Sequence, residues 1–181
     1  SLDESIALIT AANTTIQNPE VVGTAMKTVS MYLRAAKTEA EEAGESTEGM
    51  ADSVSELRDE LLSLTGNKVD IQIDDDTFKS TYQILQELSE VWDDLSDVSR
   101  ANITELIGGK RNANVISALL NDFKIAEEAM TQMQGASGSA LAENEKWKES
   151  IQGHITDMKN AFSDFARNLV STDLVKSFVD L

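Results

Sequence analysis

The fold class is decided by residues 18–40, which read NPEVVGTAMKTVSMYLRAAKTEA. Asn18 is a favourable helix cap, Pro19 suits the first helical position, and Glu20 suits the first turn. Apolar residues then recur at alternating intervals of four and three, at Val22, Met26, Val29, Leu33, Ala36 and Ala40. This spacing is typical of the narrow seam of a coiled coil. We therefore expect one helix that ends near Gly44.

The rest of the chain carries further helical patterns and little sheet signal. We expect helices over about 2–13, 51–64, 78–95, 97–107, 113–120 and on to Met133, then a long helix from Ser139 and a short one from Thr172. Residues 68–73 alternate like a strand, and because one strand cannot form a sheet alone, we expect an extended connector there. The predicted fold class is all-α, with seven to eight helices packed as an irregular bundle or an elongated helical array.

Two apolar seams are candidates for helix–helix contacts, one in residues 18–40 and one in the long C-terminal helix. The candidate interface consists of Val22, Met26, Val29, Leu33, Ile151, Ile155, Met158, Phe162 and Phe165. Such seams pair helices within one chain or between chains, so a homo-oligomer is one of two alternatives.

Composition excludes several functional classes. The 181 residues include 32 acidic and 15 basic side chains, which gives a net charge of −17. Binding to nucleic acid or to an anionic membrane is not expected, because both need a basic surface. With no cysteine and one histidine, a disulfide framework, a thiol nucleophile and multi-histidine zinc sites are excluded. The fragment shows neither a membrane-spanning stretch nor a signal-peptide pattern.

Four short motifs invite a chemical interpretation, and in each case a structural one is favoured. Asp74–Asp76 either hold a cation or, as favoured, start a helix. Gly108–Arg111 lacks the preceding strand and the Gly-Lys-Ser/Thr pattern of a phosphate loop. Gly135–Ser139 lacks the strand of a nucleophile elbow, and His154 has no recognisable partner. We therefore expect no catalytic, cofactor-binding or metal-binding residues, no cofactor and no enzymatic activity.

Two stretches concentrate the acidic residues. Residues 39–60 and residues 70–97 each contain nine acids and a single base. The first alternative is a solvated face; the second is a surface that repels polyanions or docks on a basic partner.

The domain organisation is expected to be simple. The chain has no initiator methionine and stops inside an apolar periodic segment, so we expect a single helical segment, residues 1–181, of a longer polypeptide. A subdivision into residues 1–66, 67–134 and 135–181 follows the glycine-containing turns at Gly66 and Gly135.

An ordered set of segments gives the chain a family resemblance. The segments are Asn18–Val29, Phe78–Tyr82 with Trp92, Glu105–Asn114 and Gly138–Asn144. In order and approximate spacing, over nearly all 181 residues, they resemble the conserved core region of bacteriophage tail tape measure proteins. Each segment alone is only a helix cap or a turn, so it is the ordered set that carries the resemblance.

The resemblance implies a structural role in a virion. Members of this family lie inside the phage tail tube and fix tail length during assembly. They associate with tail tube, tail tip and tail assembly chaperone proteins, so the implied location is the virion tail, or the host cytoplasm during assembly. The family supplies no catalytic residues to carry over onto this chain. The alternative function is a generic helical protein–protein interaction module with no virion role.

Overall fold

Side-chain caps set most of the helix starts in this chain. The computed structural model describes residues 1–134. In chain order the elements are α1 Leu2–Ile16, α2 Pro19–Tyr32, α3 Lys37–Glu42, α4 Val54–Leu64, β1 Gln72–Asp74, β2 Thr77–Phe78, α5 Thr81–Trp92, α6 Asp97–Gly108, a 3₁₀ turn Lys110–Asn112, α7 Ala113–Asn121 and α8 Phe123–Met133. The described part is mostly helical, which confirms the all-α prediction.

Five helices begin with a polar side chain that accepts a backbone N–H of the first turn. The capping residues are Ser1, Asn18, Ser53, Ser80 and Ser96. Each such bond satisfies a donor that has no partner inside its own helix. The predicted starts of α2 and α6 are confirmed.

One large apolar core joins the helices of the described part. In it α1 packs against α2, α7 and α8, while α6 packs against α2, α4 and α7. The core includes buried residues from Ile6 in α1 to Ala129 in α8. The core therefore contains residues from both of the first two predicted subdivisions, 1–66 and 67–134.

The end of α2 corrects the first prediction. The helix stops at Tyr32, not near Gly44, and Ala36 and Ala40 lie beyond it. Ala35 adopts a left-handed conformation with φ of 50°, which turns the chain. The Arg34 guanidinium stacks 4.5 Å from the Phe78 ring centroid and donates to the Lys79 carbonyl at 2.8 Å. This contact with a distant segment ends a seam that the local spacing would continue.

The prediction of an extended connector at residues 68–73 is correct only in part, because this segment leads into a small β-hairpin. Val69 and Ile71 are buried, as an extended segment across the helices requires. The following β1 then pairs with β2 in antiparallel orientation. Asp75 and Asp76 form the turn, so Asp74–Asp76 do not start a helix, and α5 begins at Thr81 after the Ser80 cap. The second strand, β2, has only two residues, which is too short to produce an alternation in the sequence.

Other boundaries shift by a few residues. The first helix runs on to Ile16, and α4 begins at Val54 rather than near residue 51. The long helix from Ser139, the helix from Thr172 and the seam Ile151, Ile155, Met158, Phe162 and Phe165 lie outside the described residues. No helix within residues 1–134 is both long and apolar enough to cross a membrane.

Candidate functional site

The chain passes from α6 into α7 through a turn at Gly108 and Gly109. Gly109 has φ of 75° and ψ of 165°, a conformation essentially restricted to glycine. A Cβ on Gly108 would lie 2.5 Å from Ile116 Cδ1, and one on Gly109 would lie 2.9 Å from Tyr32 Oη. Both glycines are therefore needed for close packing at this joint.

The joint is covered by the segment between α2 and α4, which we call the strap (residues 33–50). The Tyr32 hydroxyl, beneath the strap, lies 3.0 Å from the Ser46 carbonyl oxygen and 2.9 Å from that of Glu48. Burial raises the pKa of Tyr32, and the negative charges of Glu48 and Glu45 add to the effect. Tyr32 therefore stays protonated at neutral pH and acts as a hydrogen-bond donor.

A charged pair ties the strap to α2. Lys27 Nζ lies 3.3 Å from Glu45 Oε1, and the lysine side chain is only 7% exposed. A lysine buried to this extent requires a partner, because an unpaired ammonium would lose its hydration without compensation. The ion pair therefore holds the strap against α2 at Glu45.

Between the strap and the joint lies a cleft of about 220 Å³. Its polar lining includes Thr24, Thr28, Tyr32, Glu45, Lys110 and Arg111. Lys110 Nζ lies 3.6 Å from Glu105 Oε1, whereas Arg111 has no ion-pair partner within residues 1–134. In this cleft the Gly108–Arg111 motif therefore lies next to acidic side chains. Because negative side chains repel a phosphate, this arrangement does not suit a phosphate-binding loop.

The predicted interface residues of the first seam, three in α2 and Leu33 at its C-terminal end, occupy the core. Val22, Met26, Val29 and Leu33 are completely buried, and α2 packs against α1 and α6 of the same chain. Within the described part this seam therefore joins helices of one chain.

The first acidic stretch retains most of its charge in the folded structure. Its only base, Arg58, makes a two-pronged contact with Asp70, with Nε 2.9 Å from Oδ1 and Nη2 2.7 Å from Oδ2. The guanidinium holds the pKa of Asp70 below its ordinary value. Because Asp70 lies outside the stretch, the direct ion pair of Arg58 is not with an acid of residues 39–60.

The described residues contain no group of three or more His, Cys, Asp or Glu side chains arranged to hold a metal ion. The Asp74–Asp76 cluster is the turn of the hairpin, where Asp74 Oδ1 accepts the Asp76 N–H at 3.0 Å. His154 and Gly135–Ser139 lie outside the described residues.

Sequence reasoning missed the strap and its ties. Lys27 and Tyr32 appear in the sequence as ordinary residues of an amphipathic helix, and their partners are 18 and at least 14 residues away. The glycines at Gly44 and Gly49, both with positive φ, are the local signals of a break in this region. No protein-family model and no solved structure matches the chain.

Proposed function

We propose that this chain is a structural segment of a phage tail tape measure protein, which lies inside the tail tube and fixes tail length during assembly. The supporting observation is where the resembling segments fall in the fold. Asn18 caps α2, Ser80 caps α5, and Gly108 with Gly109 forms the α6–α7 joint. Three of the four resembling segments therefore coincide with helix starts and a helix joint in the described part, and Gly138–Asn144 lies outside it.

Trp92 supports the same interpretation. It is almost completely buried at the end of α5, and Arg100 donates from Nε to its carbonyl at 2.8 Å. The guanidinium of Arg100 also lies 5.7 Å from the Trp92 ring centroid. This pair fixes the turn from α5 into α6. Trp92, like the other resembling residues in the described part, thus lies at a helix joint, which is compatible with a structural role.

A ruler must convert residue number into length, and helices do so at about 1.5 Å per residue. Residues 1–134 would span about 200 Å as one continuous helix. As a folded bundle, the same residues have an expected radius of gyration of about 14 Å. Full extension would expose the large apolar core, so in a tail it would need tail proteins to cover that core. The candidate partners are the tail tube, tail tip and assembly chaperone proteins of the family.

The test is an in-frame deletion of residues 1–134 from the parent gene, in the phage or prophage that encodes it. Tail lengths are then measured by negative-stain electron microscopy. We expect tails shorter by about 200 Å if the segment is extended in the tail, and by roughly 40 Å if it remains a bundle. A tandem duplication of residues 1–134 should lengthen the tail by the same amount.

One further variant controls the measurement. Replacing residues 1–134 with an unrelated helical segment of equal length should restore tail length if the segment acts only as a spacer. Tails of normal length in both the deletion and the duplication would contradict the ruler role and favour the generic helical interaction module.

A further inference from the structure

A second cleft, of about 490 Å³, lies between α4 and α6. We call it the α4–α6 cleft. Its apolar lining comes from the partly buried Leu64 and from Leu106, which is only 5% exposed, and Ser63 and Asn102 supply neutral polar groups. Glu60 lines it from α4 and Glu105 from α6, so carboxylates stand on both walls.

The strap helps to hold Glu105 in this cleft. Gly49 has φ of 82°, and a Cβ there would lie 3.3 Å from Glu105 Cγ and 3.4 Å from its Oε1. The glycine thus allows the strap to pack directly against the glutamate side chain. Glu105 is thereby placed on one wall of the cleft.

The charge of the cleft is unbalanced. No lysine or arginine is among the described residues that line it. Arg58, the only base of α4, is engaged by Asp70. Lys110 reaches Glu105 at 3.6 Å, but its side chain is 70% exposed, so this surface pair contributes little and is easily displaced.

We propose that the α4–α6 cleft docks a basic amphipathic segment of a partner protein, with a lysine or arginine next to leucine-like side chains. The apolar stem of a long cationic side chain would lie chiefly on the partly buried Leu64, while its charged head meets Glu60 and Glu105. Charge complementarity selects this occupant: an acidic segment or a nucleic acid would be repelled by both walls. The proposal is independent of the phage assignment, because it rests on this cleft alone.

The test uses the full chain and a synthetic probe. The probe is a fluorescently labelled helical peptide with a leucine stripe flanked by lysines, and its Kd is measured by fluorescence anisotropy at physiological salt. The double variant Glu60→Gln with Glu105→Gln should weaken binding by roughly tenfold, since it removes both charged walls and keeps their shape. A matched peptide with serine in place of leucine should also bind more weakly, because it cannot fill the apolar surface.

A charge-matched control separates docking from general attraction to an acidic protein. The double variant Asp75→Asn with Asp76→Asn removes the same charge at the exposed hairpin turn, and it should change Kd by less than twofold. Equal losses in both double variants, or no peptide binding at all, would overturn the proposal. Light scattering after size-exclusion chromatography tests another occupant: an oligomer that disappears in Glu60→Gln with Glu105→Gln would assign the cleft to a second copy and overturn the proposal too. Circular dichroism checks that both variants remain folded.

Discussion

The main core and the strap are held together by different forces. The main core contains completely buried apolar side chains from seven of the described helices, with Leu8, Leu85 and Ile103 among the largest. A second, small cluster joins Met31 and Tyr32 of α2 to Ala40 and Met50 of the strap. The strap is therefore held by this small cluster and by a few polar contacts, chiefly those to Tyr32 and Lys27. This difference shows that apolar periodicity in the sequence specifies the main core, whereas individual long-range contacts specify the strap.

The largest expected effect contrasts the two clusters directly. Leu85→Ala should lower the free energy of unfolding by about 3 kcal/mol, because it removes a completely buried side chain and leaves a cavity. Met50→Ala should cost about 1–2 kcal/mol, since its small cluster at the edge of the fold can relax around the change. Urea denaturation of both variants measures the difference. A larger loss for Met50→Ala would mean that the strap is part of the main cooperative core.

The next prediction concerns the joint that the strap covers. Gly109→Ala should cost about 2–3 kcal/mol, because alanine is strained at φ of 75° and its Cβ would lie 2.9 Å from Tyr32 Oη. The matched control is Gly23→Ala in α2, where an added Cβ meets nothing within 4 Å. That variant should be more stable by up to about 1 kcal/mol, because alanine favours the helix. Similar stabilities for the two variants would refute the close approach of Tyr32.

The sequence could predict the fold wherever a local rule was sufficient. Asn18 and Pro19 specify the start of α2, and Asp97 lies at the start of α6, as expected. The burial of Val22 and Leu33 also follows the seam spacing. These features depend on residues that lie within one or two helical turns of each other. Local spacing in a single sequence is therefore enough to predict them.

The features that could not be predicted depend on distant partners. The end of α2 has neither glycine nor proline; it is set by Ala35 in a left-handed conformation and by Arg34 reaching Lys79. In the sequence, the acidic hairpin turn at Asp74–Thr77 resembles the start of a helix. The second strand of the hairpin is only two residues long, so it gives no strand signal that would correct this interpretation. The α4–α6 cleft is a product of packing, and Glu60 and Glu105 are 45 residues apart in the chain.

A smaller effect is expected from the main hydrogen-bonding tie of the strap. Tyr32→Phe should lower the free energy of unfolding by about 1 kcal/mol, since it removes one hydroxyl and leaves the Ser46 and Glu48 carbonyls without this donor. Hydrogen exchange should accelerate at the strap amides and remain unchanged in α5, a helix of the main core. Acceleration spread evenly over both regions would contradict a local tie.

The smallest effect comes from an exposed ion pair between Lys37, within the strap, and Asp52, just beyond its end. The Lys37 ammonium hydrogen-bonds the Asp52 carboxylate and lowers its pKa. A lowered folded-state pKa stabilises the fold above the ordinary carboxyl pKa of about 4, and this contribution is lost as pH falls through the folded-state value. The stability difference between the wild type and Lys37→Gln should therefore be present at pH 7 and vanish near pH 2. In Lys37→Gln, carboxyl NMR should show the Asp52 pKa rising toward its ordinary value. Asp70 should keep its lowered pKa because its partner Arg58 is untouched, and a rise at both carboxyls would mean that the variant disturbs more than the strap.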